Sequence, residues 1–374
     1  MRFTVLLLCL FSNILRAQKT DIRPLLRDAV NSYGIPAVAV AVFSSDTLFA
    51  IDAYGLRRKD NKKDSVTILD RYHLGSNTKA FTAYWAALLV ERGLLNWDTP
   101  LLEFFPEWEP YIHKDFRKMT LTHFLTHRSG LKPYMKSEEF TGVPWMRDTF
   151  TSTDHRIVFS KWVMREKPMN VPSYKYEYSN ANYVVVAACL EKASGMSWET
   201  AMQEEVAKRL GIRIELGWPY KLGNDEPLGH FNEKNMFMVH VPQLRYGLSD
   251  YLAPSSDINV SINDYKVFVQ EHLKGLKGTD NEYLKKETYE YMMAGFPAYS
   301  IGWINNQYKN VSSHDGYAGS FYAHVAVFRD KDLAIVMLMN SGARKHINGM
   351  YDLRRKVLNL VEKDRANFGL IPRK

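Results

Sequence analysis

Cysteine is almost missing from this chain, with two in 374 residues. Cys9 lies in an apolar run near the N-terminus and Cys189 in the apolar run 184–190, so a disulfide framework is excluded and Cys189 is expected to be a buried structural thiol. Long apolar segments are missing as well: the run 3–11 is short for a bilayer span. It follows Met1-Arg2 and precedes Ala17-Gln18, the charged head, short apolar run and small residue of a secretory signal peptide. Residues 1–17 are therefore expected to be a signal cleaved after Ala17, and the protein to be exported, periplasmic or secreted. Leu15 at the minus-three position departs from the small residue preferred there, which leaves a retained N-terminal anchor as the alternative. Cys9 sits inside the run rather than after it, which argues against lipidation. Repeats, low-complexity tracts and flexible interdomain linkers are absent, as are H-E-x-x-H and nucleic-acid-binding motifs. The expectation is a protein with no metal or cofactor, no nucleic-acid partner and no stable membrane span.

What is present is ordinary globular material, 46% hydrophobic and 24% charged, with a formal net charge of +8. Loss of residues 1–17 removes Arg2 and Arg16 and no acid, leaving 47 basic against 41 acidic residues and a net of +6. A basic surface could favour an anionic envelope polymer, but the charges are scattered and read as solubilising. Periodicity predicts an amphipathic helix over 20–33, strands over 36–43 and 47–54 joined as a hairpin, and a buried helix from Ser76 to near Gly93. Helices follow over 119–131, 160–165, 182–194 and 197–210. A segment rich in Gly, Pro, Asn and aromatics over 217–250 could wrap the rim of a cleft. A helix over 261–273, strands over 300–303, 321–328 and 333–339, and a helix over 347–363 complete the order. Strands at both ends with helices between predict an α+β fold: residues 18–374 as one domain, an antiparallel sheet built from both chain ends and flanked by helices, with a helical lobe over roughly 95–215 inserted.

The segment of greatest chemical interest is Gly75-Ser76-Asn77-Thr78-Lys79, which runs straight into apolar 80–90. Ser76 and Lys79, three apart, share one face of a helix. Ser at a helix start is ordinarily an N-cap. A capping box, however, wants Glu or Gln three residues on, and the positive end of a helix is the wrong place for a lysine. Burial and that same placement depress a lysine pKa, and a neutral lysine beside a serine hydroxyl is a general base that activates a nucleophile.

A second S-x-x-K, Ser129-Gly130-Leu131-Lys132, warns against reading the motif alone, since about one match is expected by chance in this length. It precedes Pro133, has no apolar helix behind it and reads as a turn. His123 and His127 read as helix-face or packing histidines: a spacing of four could hold zinc, but no third ligand is near.

Acyl transfer also needs a proton shuttle and donors for a developing oxyanion. Tyr178-Ser179-Asn180 could supply a tyrosine that ionises or relays a proton and an amide that meets a substrate carbonyl. The plainer alternative makes Tyr178 one of an alternating aromatic run with Tyr174 and Tyr176, and Tyr308-Lys309-Asn310 repeats the triplet elsewhere. His314-Asp315-Gly316-Tyr317, ahead of the strand from Phe321, could bring glycine and a backbone N–H close to a substrate, or be an ordinary glycine-rich loop or hairpin. The conjunction of the three segments is more telling than any one.

With these residues the chain resembles the serine hydrolases of the class C β-lactamase and penicillin-binding-protein-like superfamily, which includes carboxylesterases and D-amino-acid peptidases. Ser76 to Lys79 matches its S-x-x-K, Tyr178 to Asn180 its Y-x-N, residues 121–131 its L-L-T-H-x-S-G-L segment, and His314 to Gly316 its K-T-G or H-x-G. The resemblance implies the β-lactamase/transpeptidase-like fold. It also implies Ser76 as the acylated nucleophile, Lys79 as its base and Tyr178 as partner in proton transfer. Asn180, His314, Gly316 and Tyr317 would be substrate-binding, with the backbone N–H groups of Ser76 and Tyr317 forming the oxyanion hole. His314 stands where β-lactamases place a lysine, so a fixed cation for a substrate carboxylate is missing. The expected activity is therefore hydrolysis of an ester or amide, of esterase or peptidase type, on a small-molecule or peptide substrate, cell-wall-derived material included. The alternatives are a penicillin-recognising D,D-peptidase or weak β-lactamase, and a catalytically silent binding or sensor protein. If protonated His314 binds a substrate carboxylate, activity should fall through about pH 6–7.

Overall fold

A computed structural model of the chain describes residues 19–59, 61, 63–144, 149–173, 175–222, 225–231, 250–278, 283–305 and 308–367. The segment read as a signal peptide, Tyr174, and most of the rim segment 217–250 lie outside the described residues. In chain order the opening elements are helix α1 (Arg23–Tyr33), strands β1 (Ala37–Phe43), β2 (Leu48–Gly55) and β3 (Arg71–His73), and helix α2 (Thr78–Glu91). Helices α3 (Leu101–Phe104), α4 (Leu121–Leu125), α5 (Ser152–Val163), α6 (Asn180–Ser194), α7 (Trp198–Ala201) and α8 (Lys208–Leu210) follow. The chain closes with β4 (Glu215–Leu216), α9 (Ala253–Ser256), β5 (Ile258–Ser261), α10 (Ile262–Lys277), α11 (Lys286–Ala294), β6 (Val311–Tyr317), β7 (Tyr322–Phe328), β8 (Leu333–Met339) and α12 (Arg344–Asn367).

Five strands form one antiparallel sheet in the order β2-β1-β8-β7-β6, so the two ends of the chain meet at its centre, where Val38 pairs with Met339. The sheet is covered on both faces, which explains why β1 and β8 read as unbroken apolar runs rather than alternating ones. In β1 the alternation is by size. Val38, Val40 and Val42 pack with Leu26 of α1 and Leu353 and Val357 of α12, while Ala37, Ala39 and Ala41 join the larger core with α2 and α10. Small residues on that second face let helices approach closely. A smaller antiparallel sheet, β3-β5-β4, lies under the start of α2.

Helix α2 is the hub. Residues 78–89 are all buried, as a helix without a polar face must be. Phe81, Tyr84, Trp85 and Leu88 fill the space between sheet and helices, each contributing about 1.5–3 kcal/mol by burial. Its polar residues are tied down: Thr78 Oγ1 accepts from Ile258 N–H (3.1 Å), and Thr82 Oγ1 donates to Pro254 O (2.7 Å) and accepts from Trp198 Nε1 (2.9 Å). The helix start is thereby fixed to α9 and β5.

The helix expected over 160–165 is α5, which begins eight residues earlier at Ser152, and three further expected elements differ in kind or extent. The helix expected over 119–131 is only α4, because His127 takes a left-handed turn (φ 56°) and ends it before Gly130. Residues 300–303 are a turn rather than a strand, with Ser300 N–H on Trp303 O and Gly302 at φ 84°. The His314-Asp315-Gly316 segment, read as a loop, is the edge strand β6, paired along its whole length with β7. No helix among the described residues is long and apolar enough to cross a membrane.

Candidate active site

Strand β3 delivers the chain into a 3₁₀ turn, Gly75–Asn77, that passes into α2. Ser76 is in this turn, and its side chain caps neither the turn nor α2. Two contacts hold the turn. His73 Nδ1 accepts the Gly75 N–H (3.1 Å), so its Nε2–H faces Asp257 Oδ1 (3.3 Å), and Leu74 N–H donates to Ile258 O (2.8 Å). Gly75 is in the left-handed region at φ 52°, and a Cβ there would lie 2.8 Å from the Tyr317 backbone nitrogen. On the other side a Cβ on Gly316 would lie 1.8 Å from Leu74 O. Only two glycines let the Ser76 turn and β6 meet backbone to backbone, which brings the main chain of Ser76 beside that of Tyr317. The Tyr317 ring is 58% exposed.

Lys79, one turn into the helix region, is completely buried. Its Nζ is 3.3 Å from Ser76 Oγ, 2.8 Å from Asn180 Oδ1 and 3.0 Å from Ser255 O, with the Tyr178 ring centroid at 4.7 Å. Among the described residues no carboxylate pairs with it. Burial without a counter-charge holds its pKa well below the ordinary lysine value.

Asn180 opens α6, and its side chain bridges two parts of the site, accepting from Lys79 and donating through Nδ2 to Tyr134 O (3.0 Å). Tyr178, two residues earlier, is half-buried, with its hydroxyl buried and lacking a well-formed hydrogen bond. The Ser76 hydroxyl is close enough to favour the phenolate, but burial outweighs it and raises the phenol above its usual range. Tyr178 is therefore neutral, which removes ionisation from the two roles considered for it.

His314 on β6 is buried at the same site, its ring centroid 6.2 Å from that of Tyr178. A carbonyl can only accept, so Nδ1–H donates to Asp315 O (2.9 Å), and Nε2 accepts from the Tyr299 hydroxyl (3.1 Å). Both ring nitrogens are thus engaged within the protein. Burial is the main cause that lowers its pKa to about 4, and Lys79 acts in the same direction only in its protonated form. A pKa near 4 does not favour His314 titration as the source of the activity loss expected through pH 6–7, which a pH–activity profile tests.

The structure brings together all seven of the sequence-derived candidates, Ser76, Lys79, Tyr178, Asn180, His314, Gly316 and Tyr317. Sequence reasoning missed Tyr299, which holds His314, and the place of His127, whose ring is 4.3 Å from that of Tyr178. A signal for His127 existed in its neighbourhood to the Ser129-Gly130 turn, but nothing in the sequence marked Tyr299. The second S-x-x-K comes apart: Ser129 is buried and donates to Asn182 Oδ1 (2.6 Å), whereas Lys132 is at the surface paired with Glu166. Its partner decoy also fails, Tyr308 being exposed in a turn. Among the described residues no group of three His, Cys, Asp or Glu side chains could hold a metal ion.

An antiparallel sheet built from both chain ends and covered by helices, with a serine and a buried lysine at its edge, has the β-lactamase/transpeptidase-like class of fold. Residues 22–358 match the family described as Beta-lactamase, and the chain belongs to that family of serine hydrolases. It is similar to Protein flp of Staphylococcus aureus (strain COL), 23% identical over 319 residues that cover 82% of this chain and 60% of the relative. The chain thus spans about 60% of the length of the Flp proteins it matches. The Beta-lactamase of Escherichia coli (strain K12) is 24% identical over 315 residues, 75% of this chain and 78% of that protein. Among solved structures, the D-amino acid amidase from Ochrobactrum anthropi SV3 complexed with L-phenylalanine amide has a TM-score of 0.73 at 19% identity, covering 92% of this chain and 98% of that one.

Proposed function

We propose that the protein is an exported serine hydrolase that cleaves an ester or amide bond through an acyl-enzyme on Ser76. The observation that carries this reading is a completely buried Lys79 whose Nζ lies 3.3 Å from Ser76 Oγ. A neutral amine has two hydrogens and one lone pair. Nζ is within hydrogen-bond reach of three oxygens, Asn180 Oδ1, Ser255 O and Ser76 Oγ; a neutral amine gives its two hydrogens to the first two and turns its lone pair to the Ser76 hydroxyl, whereas an ammonium donates to all three. Burial, which lowers the lysine pKa, favours the neutral form of the two and so supports a general base.

Ser76 Oγ, losing its proton to Lys79, attacks the substrate carbonyl carbon. The oxyanion forms against the backbone N–H groups of Ser76 and Tyr317, an approach that Gly75 and Gly316 make possible. Neutral Tyr178 passes a proton to the leaving alkoxide or amine and is reprotonated from Lys79. Water then attacks the acyl-enzyme by the reverse proton route and frees Ser76. Asn180 holds Lys79 and keeps one amide hydrogen for the acyl side of the substrate.

His314, neutral and internally bonded, offers no cation to a substrate carboxylate. This favours uncharged esters, amides or D-amino-acid derivatives over β-lactams and D-Ala-D-Ala termini, and likeness to a D-amino acid amidase fold supports the same preference. The test is labelling by a fluorophosphonate probe, followed by turnover of short acyl esters, D-amino-acid amides and nitrocefin side by side. Labelling at Ser76 with ester or amide turnover is expected. No labelling would sink the enzyme reading, labelling without turnover would favour a sensor, and dominant nitrocefin hydrolysis would favour a β-lactamase.

A further inference from the structure

We propose that His127 is the positioning residue of Tyr178, clamping the chain on both sides of that tyrosine. The inference rests on the reading of Tyr178 as the proton relay. The Glu177 N–H donates to the His127 carbonyl (2.8 Å), and the Ser179 N–H donates to His127 Nδ1 (3.3 Å). Both backbone neighbours of Tyr178 therefore end on one residue, and the imidazole lies 4.3 Å from the phenol ring it holds. Left-handed backbone at a non-glycine residue costs about 1 kcal/mol or more and persists where its surroundings fix it. At His127 it turns carbonyl and ring toward the same segment.

The tautomer follows from the donors. Nδ1 accepts a second hydrogen bond, from Asn182 Nδ2 (2.9 Å), whose own Oδ1 accepts from Ser129 Oγ (2.6 Å). Two donors on Nδ1 put the proton on Nε2, which is buried without a hydrogen-bond partner between the rings of Tyr178 and Tyr299. An imidazolium here would add a proton where Ser179 and Asn182 already donate, beside Lys79 and His314. His127 is fixed in its neutral form and acts as scaffold, not as acid or base. The buried Ser129 of the second S-x-x-K has a use in this arrangement: it orients Asn182, which orients His127.

The test is a double-mutant cycle with Tyr178→Phe, read by kcat, KM and thermal midpoint on whichever ester or amide the wild type turns over. His127→Phe keeps a flat ring and deletes the Nδ1 acceptor. His127→Asn places a carboxamide oxygen near the Nδ1 position and tolerates positive φ. His127→Phe is expected to lower kcat about 10–100-fold with KM within about threefold, the size of effect a misplaced proton donor produces. His127→Asn should stay within about fivefold of wild type. In the Tyr178→Phe background, His127→Phe should cost less than about twofold, because there is no hydroxyl left to misplace. An equal loss in both backgrounds, or an unchanged kcat in His127→Phe, overturns the proposal while leaving the relay intact. Full activity in Tyr178→Phe alone overturns the relay, and the positioning role with it, by a separate measurement. If His127→Phe does not fold, His127→Gln, whose oxygen is one methylene beyond Nδ1, takes its place in the same cycle.

Discussion

Two segments of this chain carry the same four-residue pattern, Ser76 to Lys79 and Ser129 to Lys132, and the fold treats them oppositely. In the first the lysine is buried and the serine half-buried; in the second the serine is buried and the lysine exposed. Lys132 is paired with Glu166 at the surface, away from the buried Ser129 hydroxyl, which instead donates to Asn182. Lys79 has only neutral acceptors around it, so its proton is the thing most easily lost. The difference teaches that S-x-x-K carries chemistry only where the lysine is denied both water and an acid, which depends on residues far away in sequence, notably Asn180 and Ser255.

The largest effect that could break the comparison is expected from Ser76→Ala, which should abolish fluorophosphonate labelling and lower kcat/KM by at least about 10⁴-fold. Ser129→Ala should label fully; its cost is expected in stability, about 1–2 kcal/mol by denaturant unfolding, because Asn182 Oδ1 loses its buried donor. Next, Lys79→Met should lower kcat about 10³-fold with the fold kept, whereas Lys132→Met should change activity less than twofold. Lys79 also gives a stability slope of defined sign. Its folded pKa lies below the unfolded one, so the unfolded chain binds the extra proton between them, and wild-type stability rises with pH across that window toward about 10.4. Lys79→Met lacks this slope, and the thermal midpoints of the two proteins at pH 7 and pH 10 should shift relative to each other in favour of wild type at the higher pH.

Gly316→Ala sharpens the comparison from the other side of the site. Its Cβ would meet Leu74 O at 1.8 Å, so β6 must move from the Ser76 turn, and a loss of about 10²-fold in kcat is expected with little change in probe binding surface elsewhere. The smallest effect is expected at His314. With its pKa near 4, His314→Gln should leave activity between pH 6 and 7 without a new slope, while acid unfolding should change: native His314 resists protonation, and wild-type stability falls as pH drops from about 6.5 toward 4. A wild-type activity step near pH 6.5 that disappears in His314→Gln would overturn the neutral-histidine account.

Much of this was legible in the sequence, and for stated reasons. The apolar runs of β1, β7 and β8 and the polar head on an all-apolar α2 are direct consequences of double-sided burial, which period and composition report well. Ser76 and Lys79 stood out because the lysine was electrostatically misplaced for an ordinary helix start, whereas Tyr178, Asn180, His314, Gly316 and Tyr317 took their expected roles from the family resemblance. What was not legible depends on tertiary contact. β6 is rich in Ser, His, Asp and Gly and has none of the β-branched density of a strand apart from Val311, yet pairing with β7 holds it extended. His127 ends α4 early through a left-handed turn that local propensity does not favour. The environment of His314 could not be read either, because Tyr299, whose hydroxyl meets its Nε2, is encoded in a segment with no motif.

The position of β8 next to β1 also sets a timetable. Val38 finds its partner only when Met339 has been made, and Ser76 finds Tyr317 only once β6 is in place beside β7. Contacts spanning most of the chain are slow to form because loop closure precedes their reward. Ser76 is therefore made long before Tyr317, the second backbone N–H proposed for the oxyanion, and on that proposal the nascent chain is chemically idle until β6 and β7 arrive, a built-in delay between synthesis and activity.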